Sequence, residues 1–212
     1  VVFIASPNNP TGTAKTLLEI NDFLDNLPDD ILVFLDQAYY EYIEGSEFDI
    51  PFSLIGDHPN LVISRSFSKA HGLAALRLGF CVSNPELSDY LNRVRQPFNA
   101  NSLALDLGKV ALSDQEHISK SLKINASGMD KVKKAFTNLD YDFIESWGNF
   151  ISFDAKQDSD VAFQYFLEKG VILRSLKVYE MPQHLRVSIG TEEEMDFFLQ
   201  VLEDYEKDLS EK

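Results

Sequence analysis

The chain has 212 residues, 44% of them hydrophobic, which is enough for one large domain or two modest ones with real cores. The formal net charge is −15 and the acids are spread along the chain, so the composition argues against a nucleic-acid or anionic-membrane partner, since both favour a basic face. No apolar run reaches the roughly 20 residues of a membrane span. The single cysteine, Cys81, excludes an internal disulfide and is typical of a reducing cytoplasm.

The first part of the chain alternates strand and helix patterns. Apolar runs at residues 1–5, 31–35 and 61–64 predict buried strands, and helical spacing after a turn at residues 6–13 predicts a helix capped by Thr13. A fourth strand at 78–82 follows so short a connection that we expect it to be antiparallel or at an edge. Polar residues just past the strand ends are typical of an open α/β sheet, which binds ligands at its carboxyl edge.

The opening strand indicates that further strands lie beside it in the sheet. Its sequence, V-V-F-I-A, is apolar throughout, and buried parallel strands of this kind need neighbours on both sides. Only four strands are predicted before residue 110. We therefore expect the chain to be the C-terminal part of a longer protein, truncated at its N-terminus, with a mostly parallel sheet in its large domain.

From Asn84 onward the pattern changes to an α+β module. Helices are predicted at 85–94, 103–112 and 161–169 and strands at 149–153, 171–174 and 185–189. Two capping boxes, Ser113 with Glu116 and Thr191 with Glu194, predict the starts of a long helix and of the last one. We predict two domains, residues 1–110 and 111–212.

A lysine stands in a serine-rich turn directly after the third strand. The segment S-R-S-F-S-K-A-H-G-L-A-A-L-R-L-G places Ser66 and Ser68 ahead of Lys69, and Arg77 eight residues after it. A lysine amine becomes a nucleophile when its pKa is lowered, commonly toward a carbonyl or pyridoxal phosphate. The hydroxyls and the arginine would suit a phosphate. A salt-bridged loop lysine is the commoner explanation of any single Lys, so the interpretation depends on the motifs upstream.

Three polar residues follow the first two strands. Asp36 ends a strand of hydrophobic residues, so its charge needs a cation, and a protonated pyridine nitrogen is one such cation. Tyr39 offers a phenol three residues later, and Asn9 offers an amide inside a proline-bounded turn. A helix cap would explain Asp36 by itself, and ordinary turn chemistry would explain Asn9.

The order of these motifs along the chain is more specific for a protein family than any single motif is. N-P-T-G, then D-x-A-Y, then S-x-S-K with Arg eight residues on resembles the fold-type-I, aspartate-aminotransferase-like family of pyridoxal-phosphate enzymes. The fuller strings S-P-N-N-P-T-G, R-S-F-S-K-A-H-G-L-A-A-L-R-L-G-F, R-Q-P-F-N-A-N-S and L-R-V-S-I-G-T are similar to one class-II branch of it, the histidinol-phosphate aminotransferases. The resemblance runs from the first residue to the final helix.

The resemblance implies a role for each matching residue. Lys69 would hold pyridoxal phosphate covalently and transfer the proton of the substrate, so that His71 needs no acid–base role. Asp36 would keep the ring nitrogen protonated, and Tyr39 and Asn9 would bind the phenolic oxygen of the cofactor. The residues implied for the cofactor phosphate are Ser66, Ser68 and Arg77.

The resemblance also implies the substrates and partners. Arg186 would bind the anionic end of histidinol phosphate or of glutamate and 2-oxoglutarate, and Arg174 is a second candidate that could equally be a surface arginine. We expect a cytoplasmic homodimer without a metal ion. The chain departs from the family at Gln37, Ala75 and Phe98, and Phe98 weakens the substrate assignment. The family's N-terminal part contributes to the site, so we expect this fragment alone to be inactive.

Other functions remain open from the sequence. An aromatic amino-acid aminotransferase or a phosphothreonine decarboxylase would keep the cofactor and change the substrate. A non-catalytic fragment that binds an effector or a partner is the third alternative, although nothing in a binding role requires the lysine, the aspartate, the tyrosine and the arginine together.

Overall fold

The computed structural model describes residues 1–43 and 45–210, and the chain divides into two compact units. The first consists of Val1–Asn8 and Ala14–Lys120, and the second of Asn9–Thr13 and Ser121–Lys212. The sequence placed the division at residue 110, whereas the units divide ten residues later. The assignment of Asn9–Thr13 to the second unit has no counterpart in the sequence pattern.

The first unit is built on a four-stranded sheet of order β1-β2-β3-β4. Its strands are β1 (Val2–Ala5), β2 (Val33–Asp36), β3 (Leu61–Ser66) and β4 (Gly79–Val82). The first three pair in parallel, and β4 pairs antiparallel with β3 at the edge. The predicted mostly parallel α/β sheet is thus confirmed. The strand β3 extends two residues beyond the prediction, because Arg65 and Ser66 pair with Phe80 and Gly79 of β4.

The first unit contains the helices α1 (Leu17–Asp25), the short α2 (Leu54–Asp57), α3 (Pro85–Val94) and α4 (Ser102–Ser113). Two of these, α1 and α2, pack against the apolar residues of the sheet. Ile20 and Leu24 of α1 lie in one buried cluster with Leu35 and Ile63 of the sheet. The predicted cap at Thr13 is wrong: Thr16 caps α1, since its hydroxyl accepts from the Glu19 N–H and Glu19 accepts from the Thr16 N–H.

The longest helix, α5 (Gln115–Asn138), also begins at a different cap from the predicted one. Asp114 Oδ1 accepts from the His117 N–H at 3.0 Å. Ser113 cannot play this part, because it is the last residue of α4 and its hydroxyl donates to the Val110 carbonyl. The predicted Ser113–Glu116 capping box is therefore wrong.

The second unit contains an antiparallel sheet of order β5-β6-β8-β7. The strands are β5 (Phe143–Ile144), β6 (Phe150–Asp154), β7 (Arg174–Ser175) and β8 (His184–Ser188). Only residue 174 of the predicted strand 171–174 pairs in the sheet, and the two-residue β5 is too short to show a pattern.

Two helices, α6 (Ser159–Glu168) and α7 (Glu192–Ser210), complete the second unit. The core of this unit is aromatic. It contains one phenylalanine from each of α5, β6, α6 and α7: Phe136, Phe153, Phe166 and Phe198. The predicted capping box at α7 is confirmed, because the Thr191 N–H donates to Glu194 at 2.7 Å and the Glu194 N–H to the Thr191 hydroxyl at 3.3 Å. Within residues 1–43 and 45–210, no helix is both long and apolar enough to cross a membrane.

Candidate active site

Lys69 lies in a tight turn immediately after β3. The Gly72 N–H donates to the Lys69 carbonyl at 2.9 Å, and the Leu73 N–H donates to the Phe67 carbonyl at 2.9 Å. The Phe67 and Ala70 side chains are buried on either side of the lysine, which itself is half-buried. These hydrogen bonds and buried neighbours fix the backbone around Lys69.

The Lys69 amine faces the Tyr39 ring. Its Nζ lies 4.9 Å from the centroid of this ring, within the range of a cation–π interaction. Tyr39 is 5% exposed and follows β2 by three residues. The strands β2 and β3 are parallel neighbours, so the segments after their carboxyl ends meet at the same sheet edge. The sheet therefore brings together two residues that the sequence places 30 positions apart.

Asp36 is the last residue of β2 and lies at the same edge. Its Oδ1 accepts from the Ala38 N–H at 3.0 Å and from the Ser64 hydroxyl at 3.4 Å, and the side chain remains exposed. Ser64 is the register partner of Asp36 on β3. The sequence reasoning missed this orienting contact; a polar residue directly opposite Asp36 was the available signal.

A buried pair lies beside these residues. Glu41 and His71, two residues after Tyr39 and Lys69, approach to 3.6 Å between Oε1 and Nε2, and their side chains are 14% and 9% exposed. Burial raises the pKa of Glu41, with His71 and Arg65 opposing the shift. The pair therefore connects the Tyr39 segment to the Lys69 segment.

Arg77 and two serines form a polar cluster on the Lys69 turn. Ser66 Oγ accepts from the Ser68 N–H at 3.0 Å, and Arg77 Nη1 lies 3.5 Å from Ser68 Oγ. Arg77 has a φ of 51°, a left-handed conformation that is uncommon outside glycine and that concentrates at functional sites. Two hydroxyls and an exposed guanidinium are suited to an anion with several oxygens.

The remaining predicted residues lie in the second unit. Arg174 and Arg186 are register partners on β7 and β8, so their side chains leave the same face of the sheet. Arg174 is exposed and Arg186 is half-buried. The Arg186 guanidinium donates to Asn9 Oδ1 and lies 4.8 Å from the centroid of the Phe150 ring. This face therefore carries two guanidinium groups, one exposed and one half-buried.

The structure thus places the predicted residues in two groups. The first unit carries Lys69, Asp36, Tyr39, Ser66, Ser68 and Arg77, and the second carries Asn9, Arg174 and Arg186. Within residues 1–43 and 45–210, no three His, Cys, Asp or Glu side chains are arranged to hold a metal ion.

Comparison with known proteins assigns the class. The family model "Aminotransferase class I and II" matches residues 1–202. The chain therefore belongs to the class I and II aminotransferase family.

Particular relatives lie within one branch of this family. The chain is 47% identical over 203 residues to histidinol-phosphate aminotransferase 1 of Nitrosococcus oceani and 49% identical over 202 residues to histidinol-phosphate aminotransferase 2 of Pseudomonas fluorescens. These alignments cover 96% and 95% of the chain and 55% of each relative. The chain thus spans about half the length of the curated relatives it matches.

A solved structure agrees with this assignment of the fold. The histidinol-phosphate aminotransferase of Sinorhizobium meliloti in complex with pyridoxal-5'-phosphate superimposes with a TM-score of 0.89 at 25% identity. The match covers 98% of the chain and 58% of that structure. The expected fold-type-I architecture is confirmed.

Proposed function

We propose that the chain is part of a pyridoxal-phosphate-dependent aminotransferase that interconverts L-histidinol phosphate and its keto form, imidazole acetol phosphate, with 2-oxoglutarate and glutamate as the second pair. The observation that carries this proposal is the approach of the Lys69 amine to 4.9 Å from the Tyr39 ring centroid, on a turn that also carries the Ser66–Ser68–Arg77 cluster. The identity of 47% to a histidinol-phosphate aminotransferase supports the choice of substrate.

The residues of the first unit fit the chemical groups of the cofactor. Pyridoxal phosphate carries an aldehyde, a phosphate, a ring nitrogen and a phenolic oxygen. Lys69 provides an amine for the aldehyde, and the hydroxyls near Arg77 provide donors for the phosphate. Asp36 provides an exposed carboxylate, already oriented by two hydrogen bonds, for a protonated nitrogen. When bound, the cofactor supplies an electron sink for the negative charge that develops at the substrate Cα.

Each residue then has a defined part in the reaction. The Lys69 amine holds the cofactor and moves the proton at the substrate Cα. Asp36 keeps the proton on the ring nitrogen, because a carboxylate stabilises a neighbouring cation. Tyr39 and Asn9 donate hydrogen bonds to the phenolic oxygen.

Substrate binding falls to the arginines of the second sheet. A forked guanidinium binds a phosphate or a carboxylate equally well, which suits an enzyme whose two substrates use the site in turn. Arg186 is the principal group, and Arg174 is its neighbour on the same sheet face.

The decisive experiment compares substrates on the full-length protein. Purified protein should be yellow, and borohydride should attach the cofactor to Lys69 as detected by peptide mass spectrometry. Histidinol phosphate should be transaminated with a higher kcat/KM than phenylalanine, and O-phosphothreonine should not be decarboxylated. Preference for either of the last two compounds would identify an alternative branch. A colourless protein that cannot be reconstituted would exclude an enzyme of this class.

We also propose that the protein acts as a homodimer in the cytoplasm. The support is its family membership and its single, free cysteine, Cys81. Sedimentation of the full-length protein at several concentrations tests the dimer, and a monomer under all conditions would contradict it.

A further inference from the structure

The Asn9–Thr13 turn follows β1 in sequence but is held by the second unit. Three hydrogen bonds attach it there. Ser152 Oγ donates to the Pro10 carbonyl at 2.6 Å, the Trp147 N–H donates to the Gly12 carbonyl at 2.9 Å, and Arg186 donates to Asn9 Oδ1. The turn is therefore attached at both ends to residues more than 130 positions away in the chain.

Ser152 is an unexpected residue at its position. It lies in the middle of β6 and is 0% exposed, and Ile151 and Phe153 on either side of it are equally buried. A hydroxyl buried in such a strand is unfavourable unless it is hydrogen-bonded. The bond to the Pro10 carbonyl, 142 residues away, satisfies the buried Ser152 hydroxyl. The strand therefore keeps a polar residue, and the hydrogen bond of this residue holds the turn.

The sheet register places Ser152 next to Arg186. The two are direct partners on β6 and β8, so their side chains leave the same face. Both bind the beginning of the turn, Ser152 through the Pro10 carbonyl and Arg186 through the Asn9 side chain. The Ser152 bond fixes the backbone one residue after Asn9, so it limits where the Asn9 amide can point.

We propose that Ser152 is a positioning residue for Asn9, whose amide it holds in place for the cofactor through the Pro10 carbonyl. This inference rests on the proposed function, in which Asn9 donates to the phenolic oxygen of pyridoxal phosphate. The far end of the turn keeps its own bond to Trp147, so loss of the Ser152 hydroxyl should loosen the Asn9 end and leave the rest of the turn attached.

The test uses three variants of the full-length protein: Ser152→Ala, Asn9→Ala and the control Ser159→Ala. Ser159 is also 0% exposed and belongs to the second unit, but its hydroxyl bonds Ser175 at 2.9 Å instead of the turn. Two readouts do not depend on turnover. One is the dissociation constant of pyridoxal phosphate from cofactor-free protein, and the other is the midpoint pH at which the visible absorption band of the bound cofactor titrates.

Asn9→Ala should weaken cofactor binding and move the titration midpoint upward, because the lost donor no longer stabilises the phenolic anion. Ser152→Ala should move both readouts in the same direction, with a loss of affinity of about fivefold, as expected for one hydrogen bond. Ser159→Ala should lower the melting temperature comparably while leaving both readouts unchanged.

The outcomes separate the two proposals. If Asn9→Ala moves the readouts and Ser152→Ala behaves like Ser159→Ala, the positioning role of Ser152 is wrong and the proposed function stands. If Asn9→Ala moves neither readout, the assigned role of Asn9 is wrong, and the inference about Ser152 falls with it.

Discussion

Arg186 donates a hydrogen bond to Asn9, 177 residues earlier in the chain. One residue was expected to bind the substrate anion and the other the cofactor. Both belong to the second unit, although Asn9 follows the first strand of the sheet that leads to Lys69. The contact joins two residues that are far apart in sequence but belong to one compact unit.

Replacing Lys69 by Ala should abolish transamination without unfolding the protein. The loss should be at least about a hundredfold, the lower end of the contribution of general acid–base catalysis, because the amine also holds the cofactor. Borohydride should then attach no cofactor to the protein. The control is Lys109→Ala, an exposed lysine paired with Asp106 at 3.1 Å. Residual turnover of Lys69→Ala close to that of Lys109→Ala would contradict the assignment.

Arg77→Ala should weaken binding of pyridoxal phosphate by about one to two orders of magnitude, because hydrogen bonds to charged groups contribute roughly 1.5–3 kcal/mol. Binding of pyridoxal, which lacks the phosphate, should change little. Titrations of cofactor-free protein with both compounds measure this difference. Arg93→Ala, which removes an exposed arginine paired with Asp89 at 2.5 Å, is the matched control. Equal losses for the two ligands would show that Arg77 does not bind the phosphate.

Arg186→Lys should raise the KM for histidinol phosphate and for glutamate together, since lysine keeps the charge but lacks the planar fork. We expect a rise of about tenfold, the effect of roughly 1.4 kcal/mol. Steady-state kinetics with each substrate provides the measurement, with Arg174→Lys in parallel to determine whether the neighbouring arginine shares the anion. An unchanged KM for both substrates in Arg186→Lys would remove Arg186 from the binding site.

Gly12→Ala should destabilise the protein by about 1–3 kcal/mol, the usual effect of a left-handed conformation outside glycine. Gly12 has a φ of 78°, and an added Cβ would collide with the Ser146 side chain. The control is Gly56→Ala, where an added Cβ meets no heavy atom within 4 Å. Urea unfolding midpoints should fall for Gly12→Ala alone. A shift of equal size in both variants would contradict the tight contact.

Glu19 should make stability depend on pH in the acid range. Hydrogen bonds from Lys15 and Thr16 lower the pKa of Glu19 from 4.5 to about 2. A carboxyl with a depressed pKa in the folded state stabilises the protein fully above its unfolded pKa, and this stabilisation is lost as the pH falls through the folded value. Glu19→Gln should therefore unfold more easily than wild type at pH 6, and the difference should narrow by pH 3.

Thermal unfolding at several pH values measures this effect. Glu203→Gln on α7, which removes an exposed glutamate, is the control. A difference between Glu19→Gln and wild type that stays constant from pH 6 to pH 3 would show that the capping carboxylate does not act through its ionisation.

Most helices and the main strands could be predicted because their signals are local. Helix α3 begins at Pro85 after an Asn84 cap and ends at Val94, as the pattern indicated. The caps of α1 and α5 were misplaced because several Ser, Thr and Asp residues precede each helix. The choice among them depends on which side chain can reach a free N–H. The strand predicted at 171–174 was also wrong at three of its positions. Only residue 174 pairs with a neighbouring strand, and this pairing cannot be read from the local sequence.

The sequence by itself determined the family and the residues of chemical interest, because Asn9, Asp36, Tyr39, Lys69 and Arg77 stand in short motifs whose order can be read along the chain. Only the tertiary structure decided which of them share a compact unit. The Asn9–Thr13 turn is held by hydrogen bonds from Ser152, Trp147 and Arg186, and the register of β6 and β8 places Ser152 beside Arg186. Such contacts join segments far apart in the chain, and no local pattern specifies which hydroxyl reaches which carbonyl.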